Sequence, residues 1–208
     1  MIKLLTIIGA RPQIIKAAAI SRAIQAHFSD KIEEHILHTG QHYDQNMSAV
    51  FFDELGIPEP HYNLHVGSGT HATQTARITE GVEQVLLTAR EQGTPFDGVI
   101  VYGDTNSTLA ASIAAAKIHV PVFHIEAGLR SFNMTMPEEV NRIVCDQLST
   151  ILFTPTQTGL QNLHAEGFAE DGIKQRIRFA NGLAPRVVLS GDVMYDNSLY
   201  FSQIADQK

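Results

Sequence analysis

Cysteine is nearly absent from this chain: there is one, Cys145, in 208 residues. A lone thiol excludes an intramolecular disulfide and a cysteine-based zinc site, and its place in an apolar helical pattern marks it as a small core residue in a reducing compartment. Basic residues are scarce too, 15 Lys and Arg against 22 Asp and Glu, for a formal charge of −7. No Lys/Arg cluster reaches the density that phosphate-backbone binding needs, so nucleic acid is not an expected partner. No apolar run approaches about 18 residues, and Met1-Ile2-Lys3-Leu4-Leu5-Thr6 passes straight into strand character with no basic n-region or cleavage site. Neither export nor membrane insertion is expected, and the expected setting is cytoplasmic. What the chain does have, at 44% hydrophobic and 18% charged residues, is enough apolar material to bury a full core.

Short β-branched runs alternate with helical patterns. Strands are expected at 3–8, 35–38, 97–101, 121–125, 151–153 and 186–189, and helices over 12–27, 45–55, 72–91, 105–119, 138–148 and 158–166 and from about 192. Repeated β-α units of this size imply parallel strands joined by right-handed crossovers, an α/β fold with a Rossmann-like, doubly wound sheet. The organisation changes near Gly172. Residues 1–172 read as the N-terminal Rossmann-like domain, 173–186 as a linker carrying Lys174, Arg176, Arg178 and an Asn181-Gly182 turn, and 187–208 as the start of a truncated second domain. One strand and one helix cannot enclose a core, so this last unit either packs onto the first domain or belongs to a longer chain.

In a parallel sheet of this kind ligands bind at the carboxyl ends of the strands, and the polar residues fall there. Gly9-Ala10-Arg11-Pro12-Gln13 follows the first strand. Glycine allows a tight turn, proline suits the start of a helix, and the exposed helix N-terminus attracts anions that Arg11 and Lys16 can also bind; the alternative is a plain strand-to-helix turn with two solvated bases. It is neither a dinucleotide fingerprint nor a P-loop. His38-Thr39-Gly40-Gln41-His42-Tyr43-Asp44 follows the second strand, and because His38 and His42 flank a glycine turn the loop is read as hydrogen-bonding to a polar ligand or capping a helix, not as a metal site. His65 and His71, around Gly67-Ser68-Gly69-Thr70, carry the same ambiguity and no assignment.

Three carboxylates are the core of the reading. Asp104 follows Val99-Ile100-Val101-Tyr102-Gly103 and could cap the next helix or act on a ligand. Glu126 directly follows an apolar strand, where partial desolvation suits a carboxylate to proton transfer; the alternative is an ion pair with Arg130 or Arg142. Glu138 and Glu139 open a helix, are favoured by its dipole, and either could pair with Arg142.

At these residues the chain resembles a known family. GARPQIIKAA, VYGDTNST, HIEAGLRSFN and MPEEVNR, in this order and spacing, are similar to the non-hydrolysing UDP-N-acetylglucosamine 2-epimerases, and the resemblance runs from Met1 to about Tyr200. GARPQ, HTGQHYD and SFNMTMPEE look most like the branch acting on UDP-2,3-diacetamido-2,3-dideoxy-glucuronic acid. The resemblance implies a two-domain fold of the glycosyltransferase-B type, of which this chain covers the first domain and the beginning of the second. It implies inversion at C2 of a UDP-sugar by elimination and re-addition of UDP, in surface polysaccharide precursor synthesis, with no metal or redox cofactor, and a homodimer. Arg11 and Lys16 would bind the diphosphate, Asp104, Glu126 and Glu138 would supply acid/base and charge-stabilising roles, and Glu139 would be structural. A catalytic histidine and most uridine contacts would come from the second domain. A non-catalytic UDP-sugar-binding module and a glycosyltransferase of the same fold remain as alternatives.

Overall fold

The computed structural model describes residues 1–40, 52 and 55–205. Its sheet holds seven strands among these residues: β1 (Ile2–Ile8), β2 (Ile32–His38), β3 (Tyr62–Asn63), β4 (Gly98–Tyr102), β5 (Val122–Ile125), β6 (Ile151–Thr154) and β7 (Arg186–Leu189). All are parallel, in the order β3-β2-β1-β4-β5-β6-β7. The chain builds outward from β1 in one direction, then returns to β4 and builds outward in the other. That reversal makes a topological switch point between β1 and β4, the place where an open α/β sheet leaves a crevice at its carboxyl edge.

The α-helices that lie wholly among the described residues are α1 (Arg11–Ala23), α2 (His71–Glu91), α3 (Asn106–Lys117), α4 (Pro137–Leu148), α5 (Gln157–Leu163) and α6 (Val193–Ala205). Side chains alternate along the central strands, so both faces of the sheet are apolar. Leu5, Ile7, Val99, Val101 and Val122 pack on one side with Ile78, Val82 and Leu86 of α2, the alanines of α3 and Cys145 of α4. Leu4, Ile8, Ile100, Tyr102 and Ile125 pack on the other with Ile14, Ala17 and Ala18 of α1. Small residues on α1 and α3 let both helices approach the sheet beside the switch point. The expected helix at 45–55 lies almost entirely outside the described residues. No helix among the described residues is long and apolar enough to cross a membrane.

The unit after residue 186 packs onto the first domain, one of the two arrangements left open by the sequence. β7 pairs with β6 through Ile151↔Arg186 to Thr154↔Leu189, so it is the edge strand of the first sheet. α6 lies on α1, with Asn197 Nδ2 donating to the Ile15 carbonyl at 2.6 Å and the Arg22 guanidinium 4.1 Å from the centre of the Tyr200 ring. A lone β-α unit buries its apolar face best on an existing sheet, which is the physical reason it docks here.

Gly9 shows how closely the strand ends are packed. A Cβ there would fall 2.2 Å from Thr39 Oγ1 and 2.3 Å from Ser107 Oγ, two hydroxyls already hydrogen-bonded to each other at 2.8 Å. Gly9→Ala is therefore expected to lower stability by about 1–3 kcal/mol in urea unfolding.

Candidate active site

The turn after β1 is held by Gln13. This fully buried side chain accepts from the Ala10 N–H at 3.1 Å and donates to the Tyr102 carbonyl and Thr108 Oγ1, both at 3.0 Å. It thereby ties the start of α1 to the end of β4 across the switch point. The N-cap of α1 is Ala10, which has no capping side chain, and Arg11 lies exposed at the first helical position. The dipole of α1 points into the crevice with Arg11 beside it.

Lys16, one turn further along α1, reaches a charge cluster. Its Nζ is ion-paired with Glu126 Oε2. Glu126 Oε1 accepts from Arg142 Nη2 at 3.0 Å, and the same nitrogen lies 2.7 Å from Asp104 Oδ2. Cation and anion alternate from Lys16 through Glu126 and Arg142 to Asp104, with side-chain exposures between 11% and 27%. Burial pushes the Asp104 carboxyl above its ordinary range; Arg142 pulls it back, and the charge on Glu126 pushes it up again. A carboxyl with raised proton affinity beside a second carboxylate is chemically suited to proton transfer, as it is to a structural ion-pair network. Asp104 is not a helix cap: that role falls to Thr105, whose hydroxyl accepts from the Thr108 N–H. Glu126 does pair with Arg142, one of the two arginines expected for it, while Arg130 pairs with Asp146 and Glu166.

Backbone strain marks the same residues. Glu126 has φ +73°, a left-handed conformation at a non-glycine residue that costs about 1–3 kcal/mol and persists only where surrounding contacts enforce it. Its N–H and that of Ala127 both donate to the Phe153 carbonyl at 3.0 Å. Gly103, immediately before Asp104, has φ +65°, and a Cβ there would stand 3.3 Å from Lys16 Nζ. Glycine at 103 thus satisfies the turn and leaves room for the lysine to reach Glu126.

Helix α4 divides its two opening glutamates. Glu139 is buried and accepts from the N–H groups of Ser131 and Phe132, each at 2.9 Å. Burial works against its charge, but those backbone donors outweigh it and hold the carboxyl below its ordinary range. It is a brace for the 131–136 loop. Glu138 is exposed, and its charge is felt at Asp104. Neither glutamate takes Arg142, contrary to the helical-spacing expectation; Asp104 and Glu126 offer that guanidinium two partly buried carboxylates instead. Asn141 donates to the Asp104 carbonyl at 2.8 Å. Gln13, Asn141 and the bridging role of Arg142 were not assigned from sequence, although the last two lie inside MPEEVNR, one helical turn from the glutamates.

His38 is buried, and its Nδ1 accepts from the Gly40 N–H at 2.9 Å, closing the turn after β2. Gln41 to Asp44 lie outside the described residues. His71 lies beside Asn106 at the start of α2. Among the described residues no group of three or more His, Cys, Asp or Glu side chains is arranged to hold a metal ion.

A parallel sheet with helices on both faces and a charged crevice at its switch point defines a Rossmann-like α/β domain, here half of a glycosyltransferase-B-type fold. The chain belongs to the UDP-N-acetylglucosamine 2-epimerase family, whose sequence profile matches residues 23–208. It is 51% identical over 98% of its length to the UDP-2,3-diacetamido-2,3-dideoxy-D-glucuronate 2-epimerase of Pseudomonas aeruginosa, covering 52% of that protein. The crystal structure of Methanocaldococcus jannaschii UDP-GlcNAc 2-epimerase in complex with UDP-GlcNAc and UDP superposes with a TM-score of 0.84 at 41% identity, covering all of this chain and 51% of that one. The Neisseria meningitidis enzyme bound to UDP-GlcNAc gives 0.77 at 31% identity, over 99% of this chain and 53% of that one. The chain spans about half the length of these relatives.

Proposed function

We propose that this chain is the catalytic-carboxylate half of a UDP-sugar 2-epimerase that inverts C2 of a UDP-N-acetyl-hexosamine or of its 2,3-diacetamido uronate. The observation that carries the reading is the alternating Lys16–Glu126–Arg142–Asp104 cluster at the switch point, beneath the N-terminus of α1. Arg11, Lys16 and the helix dipole bind the diphosphate. One carboxylate takes the C2 proton as the C1–oxygen bond breaks, releasing UDP and leaving a C1–C2 double bond. A second group returns a proton to the opposite face of C2 while a phosphate oxygen of UDP re-forms the bond to C1. Atoms and electrons balance without oxidation. Asp104, Glu126 and Glu138 are the residues assigned to proton transfer and to the charge developing on the sugar, because they stand on separate strand and helix ends, from which opposite faces of C2 can be reached. The cytoplasmic setting and the homodimer belong to the same reading.

The test is solvent deuterium incorporation at C2, followed by NMR in D2O, with UDP-N-acetylglucosamine and with its 2,3-diacetamido uronate analogue, alongside calorimetric binding of UDP. The sugar that takes up label names the substrate. A folded chain that binds UDP and incorporates no label assigns the proton chemistry to the two halves together. A folded chain that binds neither UDP nor either sugar overturns the proposal.

A further inference from the structure

Beneath the carboxylates lies a second set of charged groups that the proposed chemistry does not use. His124, in the middle of β5, and Asp146, on α4, are both fully buried. The ring Nδ1 faces Asp146 Oδ1 at 2.7 Å and the ring Nε2 faces the Gly103 carbonyl oxygen at 2.8 Å. Both partners are acceptors, so both ring nitrogens must carry hydrogen, and the ring is an imidazolium. The other oxygen of Asp146 takes the Gly128 N–H at 3.1 Å and Arg130 Nη2 at 2.7 Å. Arg130 is in turn forked onto Glu166 at 2.7 and 2.8 Å.

The two backbone groups caught in this way are the ones that flank the site. Gly103 immediately precedes Asp104, and Gly128 follows Glu126 by two residues. Gly103, Glu126 and Gly128 all have left-handed φ, at +65°, +73° and +78°. Chain in that conformation has left the sheet ladder and needs other contacts to hold it. One helix supplies them: Asn141 fixes the Asp104 carbonyl, Arg142 bridges the two carboxylates, and Asp146, one turn on, reaches Gly128 directly and Gly103 through His124. We propose that His124 and Asp146 are positioning residues, a buried ion pair that sets the spacing of the Asp104 and Glu126 carboxylates by pinning the backbone beside each. Neither touches the crevice. The pin itself is a statement about this chain's structure, while its use in positioning catalytic groups rests on the epimerase reading.

The groups facing the ring are Asp146, the Gly103 carbonyl and the neighbouring Cys145, with Arg130 behind Asp146. Burial opposes the imidazolium, yet Cys145 and the Asp146 carboxylate outweigh it and hold the ring well above the ordinary histidine range. The experiment has two arms on the 208-residue chain. In 15N-histidine-labelled protein at about pH 8, where an unperturbed imidazole is neutral, His124 should show both ring nitrogens protonated. A singly protonated ring overturns the pin, since it cannot donate to both partners. In the second arm the Asp104 carboxyl is titrated by 13C NMR in wild type, His124→Leu and His124→Gln. His124→Leu should move its midpoint by about half a unit or more, while UDP affinity stays within about twofold because the diphosphate contacts are elsewhere. His124→Gln, which keeps an N–H to offer the Gly103 carbonyl, should restore the wild-type midpoint. An unmoved midpoint in His124→Leu overturns positioning; if that variant does not fold, the ring nitrogens of wild type decide. Failure of wild type to bind UDP would sink the nucleotide-sugar reading and leave the pin to stand or fall on the two NMR arms.

Discussion

Glu126→Gln and Lys16→Met should change UDP affinity in opposite directions. Lys16 stands between two anions: the Glu126 carboxylate it holds in the structure and the diphosphate it is proposed to bind. A charge-assisted hydrogen bond to phosphate contributes about 1.5–3 kcal/mol, so Lys16→Met should weaken UDP binding by about 10-fold to 100-fold. Glu126→Gln removes the competitor. Lys16 no longer has to leave a partly buried ion pair before meeting the ligand, and UDP should bind about threefold to tenfold tighter. The same substitution should lower C2 exchange by about 100-fold to 10,000-fold in a preparation that shows it, the usual contribution of a general acid or base. Titration calorimetry with UDP at fixed ionic strength checks the binding pair. Weaker binding in Glu126→Gln would mean that the glutamate supports the cation in place instead of competing for it.

That competition could not be read from the chain alone, because it depends on which strand ends are neighbours. Period and punctuation in the sequence place strands and helices well: β7 falls at Arg186–Leu189 as expected, and α2 starts within a residue of its expected position. The strand order, however, needs the reversal at β1 and β4, and nothing local announces it. The two-residue β3 is too short to carry a period. The wide π-helical turns at Ile24–Phe28 and His164–Phe168 finish helices that the apolar pattern simply continues. At the site, the carboxylates stood out because each follows an apolar strand or opens a helix. Arg142 did not, since helical spacing offered it Glu138 and Glu139, and only the fold shows that Asp104 and Glu126 are the nearer and more buried partners. His124 gave a signal that went unused. A titratable side chain inside Val122-Phe123-His124-Ile125 cannot be buried without a partner, and that fact alone asks for a carboxylate such as Asp146.

The cost of losing that partner should be the largest single effect on stability. Asp146 has no exposure, and it neutralises His124 on one side and Arg130 on the other. Replacing a well-paired buried ion by nothing leaves its counter-charges desolvated, which typically costs about 3–5 kcal/mol out of a total of about 5–15. Arg130 keeps Glu166, so the uncompensated group in Asp146→Ala is His124, whose ring must give up its Nδ1 proton and retain only the Nε2–H donated to the Gly103 carbonyl. The difference from wild type should depend on pH at both ends. Asp146 is opposed by burial but held below its ordinary range by His124 and Arg130, so its contribution is complete above the unfolded value and is lost as pH falls through the lowered folded one. His124 is shifted upward, so its contribution is complete below the unfolded value and declines as pH rises towards the raised folded one. The two windows overlap between about pH 4 and pH 6.5. Urea unfolding of wild type and Asp146→Ala should therefore show the widest gap near pH 5.5 and a narrower one near pH 9. A gap that stays the same from pH 5.5 to pH 9 would mean that the ring is neutral in the folded protein, and that Asp146 serves Arg130 and Gly128 alone.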